Sequence, residues 1–176
     1  KLLPAITSPT QAAAWEALKS RLNYWVHEPD LDIVRVILAT VSALELDQSP
    51  AWVMVVGPPS SFKTEYLYFA TCYKNHVFTS EITAPGLISM EKSSRGEGML
   101  KRLGVRGLWL IKDFGAVASL KEETRNSILA AMREVYDGRW DRTMGGRTDS
   151  WSGHLNVIAA ATPAIERFHR VVSDLG

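Results

Sequence analysis

One stretch limits the folds open to this chain more than any other. Val53-Met54-Val55-Val56 is a continuous apolar run, and Gly57-Pro58-Pro59-Ser60-Ser61 stops it at once. Gly and Pro punctuate regular structure, so the run reads as a strand that ends in a tight loop. Phe62-Lys63-Thr64 then leads into a helix-like stretch from Glu65. The unit is therefore strand, loop, helix. A strand with no polar alternation is one buried on both faces, which places it in a parallel sheet covered by helices on two sides.

The rest of the chain continues that alternation. His76 to Ile82, Gly107 to Asp113 and Leu155 to Thr162 read as three further strands, the last ended by Pro163. The intervening helices are expected at about Lys63 to Tyr73, Leu120 to Tyr136 and Ala164 to Val172. Thr83 to Arg106 is loop-rich, with short helical pieces near Leu87 to Glu91 and Met99 to Leu103. Alternating strands and helices give an α/β class with three layers, α/β/α. Ahead of the first strand, Ser8-Pro9 reads as a helix start running to about Trp25, and Asp30 or Asp32 starts a second helix to about Leu46. Residues 1–50 are thus expected as a helical segment packed on a core domain of residues 51–176.

Bulk properties exclude several classes. The chain has 176 residues and a net charge of +1, so no whole-chain basic field points to nucleic acid, and such contact would need a local patch. No apolar run is long enough to span a membrane, and no signal peptide is visible. The single cysteine, Cys72, forms no internal disulfide and fits a reducing cytoplasm, where it reads as a small core residue. The chain starts at Lys1 without a methionine and reads as part of something longer. His27, His76, His154 and His169 have no metal-ligand spacing.

The loop has a chemistry that needs each of its parts. Gly-x-x-x-x-Gly-Lys-[Ser/Thr] between a strand and a helix wraps phosphates in backbone N–H groups. Here Gly57, Pro58, Pro59, Ser60, Ser61, Phe62, Lys63 and Thr64 fill that span. Lys63 would reach the β- and γ-phosphates of ATP, and the Thr64 hydroxyl would ligate Mg²⁺. Phe62 stands where the pattern has its second glycine. It is accommodated if its backbone is helical and its ring points away from the nucleotide. The bland alternative is an ordinary strand–helix turn.

A phosphate loop also needs a carboxylate on the metal side, at the end of a neighbouring strand. Leu108-Trp109-Leu110-Ile111-Lys112-Asp113 supplies Asp113. Two registers stay open. Asp113 is the metal-side carboxylate with Phe114 in the position of the general base, or Lys112 replaces that carboxylate and Asp113 is the base. Glu81, at the end of the second strand, is a further candidate. The plain alternative is a solvated aspartate capping a strand end.

These pieces in this order resemble the AAA+ ATPases. The likeness is closest to the clade holding the minichromosome-maintenance helicases and the helicase-like ATPases of phages and mobile elements. It covers roughly Ala51 to Gly176. It rests on Gly-Pro-Pro-Ser-Ser-Phe-Lys-Thr, on Leu-Trp-Leu-Ile-Lys-Asp-Phe, and on Ile128 to Glu134 followed by Asp137 to Gly153. Asn156-Val157-Ile158-Ala159-Ala160-Ala161-Thr162-Pro163 completes it. The resemblance implies a P-loop NTPase core with the strands present ordered 1-4-3-2, and a homo-oligomeric ring with nucleotide at its interfaces. It makes Thr162 the sensor of the γ-phosphate or its attacking water. It also implies a fifth strand, a C-terminal lid and an arginine finger. The lid and fifth strand are expected beyond Gly176, and Arg167 and Arg170 are finger candidates only if the last helix faces a neighbouring subunit, the plainer reading of each being a surface arginine.

Asp137 to Gly153 is expected as a hairpin with Gly145-Gly146 at its tip. Arg139, Arg142 and Arg147 are interleaved with Trp140 and Trp151, a pattern suited to phosphates and base stacking in DNA. Asp137, Asp141 and Asp149 offset that charge, which equally suits a compact structural hairpin. The leading expectation is an ATP-driven motor acting on DNA in replication of a phage or mobile element. The alternatives are a protein-remodelling or transcription-regulating ATPase and, last, a small-molecule kinase.

Overall fold

The apolar strands do assemble into one parallel sheet. The computed structural model describes residues 10–87, 98–144 and 147–166, without the side chains of Pro85, Arg142, Met144 and Arg147. Four strands form it: β1 (Trp52–Val56), β2 (His76–Thr79), β3 (Arg106–Ile111) and β6 (His154–Ala161). Their order is β1-β6-β3-β2, every pair parallel. With the hairpin strands β4 (Arg139–Met144) and β5 (Arg147–Ser152) set aside, this is the expected 1-4-3-2.

Side-chain alternation along β3 splits the core in two. Leu108 and Leu110 face one layer and Trp109 and Ile111 the other. The first layer is α1 (Gln11–Trp25), α2 (Leu31–Ala43) and α3 (Lys63–Phe69), contributing Leu22, Val34, Ile37 and Leu67. The second holds α5 (Met99–Leu103) and α7 (Glu122–Tyr136), with Leu100, Leu103, Ile128, Met132 and Val135. Two short helices, α4 (Ala84–Leu87) and α6 (Gly115–Ala118), complete that side. Helices on both faces explain why β3 and β6 carry no polar alternation; β1 ends the sheet, and its Met54 and Val56 are exposed rather than buried as expected.

The N-terminal helices are tied to the sheet by one buried amide. Asn156 lies in the middle of apolar β6 and is fully buried. Its Nδ2 donates to the Thr40 carbonyl at 2.7 Å, and its Oδ1 accepts from the Ala51 N–H at 2.8 Å. A buried amide left unpaired would be costly, so this residue fixes how α2 meets the start of β1.

Several boundaries differ from expectation. The described start of α1 is capped by the Thr10 hydroxyl, which accepts from Ala13 N–H; Ser8-Pro9 lies outside the described residues. The α3 helix ends at Phe69 and tightens into a 3₁₀ turn over Ala70–Cys72. Cys72 is exposed rather than a core residue. The helix expected over Leu120 to Tyr136 is α7, starting at Glu122, and the short helix α6 before it was not expected. A short helix spans Ala84–Leu87; the rest of the piece expected at Leu87 to Glu91 lies outside the described residues, as do Arg167 and Arg170. No helix among the described residues is long and apolar enough to cross a membrane.

Candidate functional site

Strand register brings three of the singled-out segments to the same edge of the sheet. Val56 pairs with Ala161, so β1 hands over to the loop at the level where β6 hands over to Thr162. The Gly57 N–H continues that ladder, donating to the Ala161 carbonyl at 3.2 Å. On the other side of β6, Ile111 pairs with Ala159, and the Phe114 N–H donates to the Ala160 carbonyl at 2.8 Å. Thr162 therefore stands between the Gly57 loop and Asp113, at the carboxyl end of the sheet, where open α/β sheets take their ligands.

The loop is curled, and its curl is what an anion needs. Ser60 and Phe62 both have positive φ, 61° and 57°. A left-handed residue on either side of Ser61 turns successive N–H groups into a concavity for negative charge. Neither residue is glycine, and each left-handed non-glycine costs roughly 1–2 kcal/mol. Such strain persists where the surroundings impose it, and it concentrates at functional sites. Phe62 thus differs from the helical backbone expected of it. Its backbone is left-handed, a conformation that glycine would adopt without strain, and its ring is 55% exposed.

Gly57 also has a steric reason to be glycine. A Cβ there would lie 2.7 Å from Ser61 Oγ. That hydroxyl and the Pro58 carbonyl both receive the Lys63 ammonium, Ser61 Oγ at 3.2 Å. The loop is folded around its own lysine, so its interior already accommodates a charged group with hydrogen-bond partners.

Asp113 and Thr162 line one cavity of about 500 Å³, together with Gly115, Ser119 and Ile165. The Gly57–Thr64 loop does not line that cavity. Asp113 is exposed, and its Oδ1 accepts from the Gly115 N–H at 2.9 Å, which fixes the carboxylate at the strand end. Phe114, one of the two positions open for a general base, is buried in the core beside α7. Lys112 is exposed and its N–H bonds the Thr79 carbonyl at 2.8 Å. Glu81 follows β2 by two residues, as Asp113 follows β3, and Thr79 pairs with Ile111; the two carboxylates end neighbouring strands at the same edge. Among the described residues no three His, Cys, Asp or Glu side chains group to hold a metal ion. A Mg²⁺ here would rest on the Thr64 hydroxyl, one carboxylate and phosphate oxygens, the habit of an ion that keeps water and takes few protein ligands.

The hairpin is real, but its tryptophans are not presented to solvent. Trp140 and Trp151 are cross-strand partners, 8% and 5% exposed, and both belong to the core. The Trp151 indole N–H donates to the Gly104 carbonyl at 2.7 Å. Trp140 is therefore corrected from a base-stacking residue to a core residue. Gly153 closes the base so tightly that a Cβ would meet the Val105 carbonyl oxygen at 2.5 Å.

The acids are also engaged. Asp149 pairs with Lys101 of α5 at 2.5 Å, and Asp141 with Arg139 at 2.8 Å. A hydrogen bond from Ser150, then Arg139, holds the Asp141 carboxyl below its usual range. Arg139 itself is exposed. The backbone register sets Arg142 opposite Asp149 and Arg147 opposite Met144; the Arg142 and Arg147 side chains and the Gly145-Gly146 tip lie outside the described residues. The hairpin joins β6 at His154, the end opposite Thr162. Eight residues of β6 separate it from the loop, roughly 26 Å of strand.

Sequence reasoning missed two structural supports of this site. Asn156 was visible as the one polar residue inside an apolar strand. The Gly115 N–H that holds Asp113 left no sequence signal beyond a glycine two residues on. Compared with protein-family models and with curated proteins, the chain matches none.

Proposed function

We propose that this chain is the ATP-binding and ATP-hydrolysing domain of an AAA+-type motor. The observation that carries the reading is that strand register ends the strained Gly57–Thr64 loop, Thr162 and Asp113 at the same carboxyl end of one parallel sheet. The loop N–H groups would hold the phosphates. Lys63 would exchange its contacts with Pro58 and Ser61 for phosphate oxygens, so ligand binding and release of the internal lysine contacts are coupled. Bound Mg²⁺ would neutralise phosphate charge, held by Thr64 and Asp113. Asp113 is taken as the metal-side carboxylate in this reading, which leaves the buried Phe114 unable to position water; Glu81, at the end of the neighbouring strand, is the alternative for that role. Thr162 would report the state of the γ-phosphate to β6.

Asp113→Asn tests this. Single-turnover hydrolysis is expected to fall on the order of a hundredfold while ATP affinity changes little, the scale of losing a metal anchor or general base. Wild-type turnover in this variant would move the role to Glu81 or remove the reading.

The motor's substrate is proposed to be DNA, contacted by Arg139, Arg142 and Arg147 in an oligomeric ring. A second reading, protein remodelling, draws support from the burial of Trp140 and Trp151, which removes the stacking half of the pattern. Replacing the three arginines by Ala separates them. If they meet DNA phosphates, the log–log salt slope of binding should flatten by roughly one unit for each phosphate no longer neutralised. An unchanged slope would favour the protein-remodelling reading.

A further inference from the structure

The sheet is covered to its β1 edge on one face and left bare on the other. Val55 of β1 is buried in the layer of α1, α2 and α3. Met54 and Val56 point to the opposite face and are 40% and 43% exposed. On that face an apolar groove of about 560 Å³ runs between α7 and β1. Phe114 and Asn126 bound it toward the carboxyl end of the sheet, and Leu129 and Met54 lie midway. Trp52 and Tyr136 bound the amino end, their rings edge to face at 5.3 Å.

The chain leaving β6 already heads for this groove. It turns at Thr162-Pro163, where the Ile165 N–H donates to the Thr162 carbonyl at 3.0 Å. Ile165 is 8% exposed and belongs to the same core layer as Phe114 and Met132. The chain has therefore crossed to the α7 face. Handedness requires the same. The connection from β1 to β2 through α3 and the one from β3 to β6 through α7 run in opposite directions across the sheet, on opposite faces. Right-handed crossovers pair direction with face in this way. A chain leaving β6 toward β1 continues in the direction of β3 to β6, so it keeps to the face of α7.

We infer that the groove is the seat of this chain's own residues 165–175, packed as an amphipathic helix between α7 and β1. The inference does not depend on the nucleotide reading. Beyond Glu166, outside the described residues, the sequence places Phe168, Val172 and Leu175 at helical spacing from Ile165. They form one apolar stripe, while Glu166, Arg170 and Ser173 fall on the opposite side. The length fits as well. A helix over residues 165–175 rises roughly 16 Å, and the five residues of β1 span roughly 16 Å. The other segments outside the described residues start elsewhere. Residues 1–9 lead toward α1 on the other face, and residues 88–97 join α4 to α5, which packs against β2 at the far edge of the sheet. Seating residues 165–175 buries the exposed sides of Met54 and Tyr136 and extends the second layer over the edge strand.

Two cysteine pairs in a Cys72→Ser background test the seat on the whole chain. Val172→Cys with Ala130→Cys puts one thiol on the apolar stripe and one on the groove wall. Arg170→Cys with Ala130→Cys turns the first thiol outward. Under a mild oxidant the Val172 pair is expected to close an intrachain disulfide on the order of tenfold faster, because the bond needs Cβ atoms that face each other. Phe168→Ala is expected to lower the melting temperature by several degrees, the consequence of emptying a packed aromatic site, and Arg170→Ala to leave it nearly unchanged. If Phe168→Ala does not fold, the cysteine pairs decide alone. Equal oxidation rates for the two pairs overturn the inference, as does wild-type melting of Phe168→Ala. A Val172 pair that closes between chains, seen as a dimer on a non-reducing gel, also overturns it and gives the groove to the same segment of a second copy.

Discussion

Lys63→Ala is expected to abolish the proposed ATP binding in a protein that melts close to the wild-type temperature. The two halves of this expectation have separate causes. In the folded chain the ammonium donates to the Pro58 carbonyl and the Ser61 hydroxyl, on an exposed loop. Water replaces those partners on truncation, so the stability cost is about 0.5–1.5 kcal/mol. In the proposed complex the same ammonium would meet phosphate oxygens, and such charge-assisted bonds are roughly twice as strong as neutral ones. The loop concavity alone would not offset the charge of a triphosphate. Calorimetric titration with Mg²⁺–ATP, beside a thermal melt, measures both halves. Wild-type affinity in a folded Lys63→Ala protein would falsify the phosphate-loop assignment.

The second large effect is on stability, and it lies in the hairpin. Trp151→Ala removes a buried ring, its packing against Trp140 and its indole bond to the Gly104 carbonyl. Truncation of a buried tryptophan costs about 3–5 kcal/mol. At roughly 2–4 °C per kcal/mol for a chain of this size, the melting temperature falls by roughly 6–20 °C. Arg139→Ala, by contrast, removes an exposed side chain and a surface pair with Asp141, which solvent screens, so its effect on stability is slight. Chemical denaturation of the two variants gives the comparison. A destabilisation by Trp151→Ala no larger than that by Arg139→Ala would show that the hairpin is not built into the core.

That contrast marks what the sequence could and could not disclose. Strands β3 and β6 were legible because burial on both faces leaves an unbroken apolar run; β1 has such a run although Met54 and Val56 are exposed. The loop was legible because Gly-Pro-Pro-Ser-Ser before Lys-Thr is an unusual way to leave a strand. The left-handed backbone at Phe62 was not, since nothing in a phenylalanine favours it; the conformation is imposed by the loop around it. The role of the tryptophans was readable but misread. Trp140 and Trp151 are equally distant from the Gly145-Gly146 centre, as a cross-strand pair must be. Interleaving with arginine drew the eye to chemistry, while strand alternation puts one residue in two inside. The fixed place of α2 depended on the Asn156 amide meeting Thr40, residues too far apart in sequence for any local pattern to join.

The position of β6 has a mechanical consequence. It is flanked by β1 and β3, carries the hairpin at His154 and ends at Thr162. A pull on the hairpin along the strand axis loads the hydrogen bonds of both ladders together, in shear. A strand at the edge of a sheet would instead peel, one bond after another. Force applied at one end of β6 therefore reaches the other as displacement of a stiff rod, with little lost to stretching on the way. The hairpin and the Thr162 end behave as the two ends of one lever.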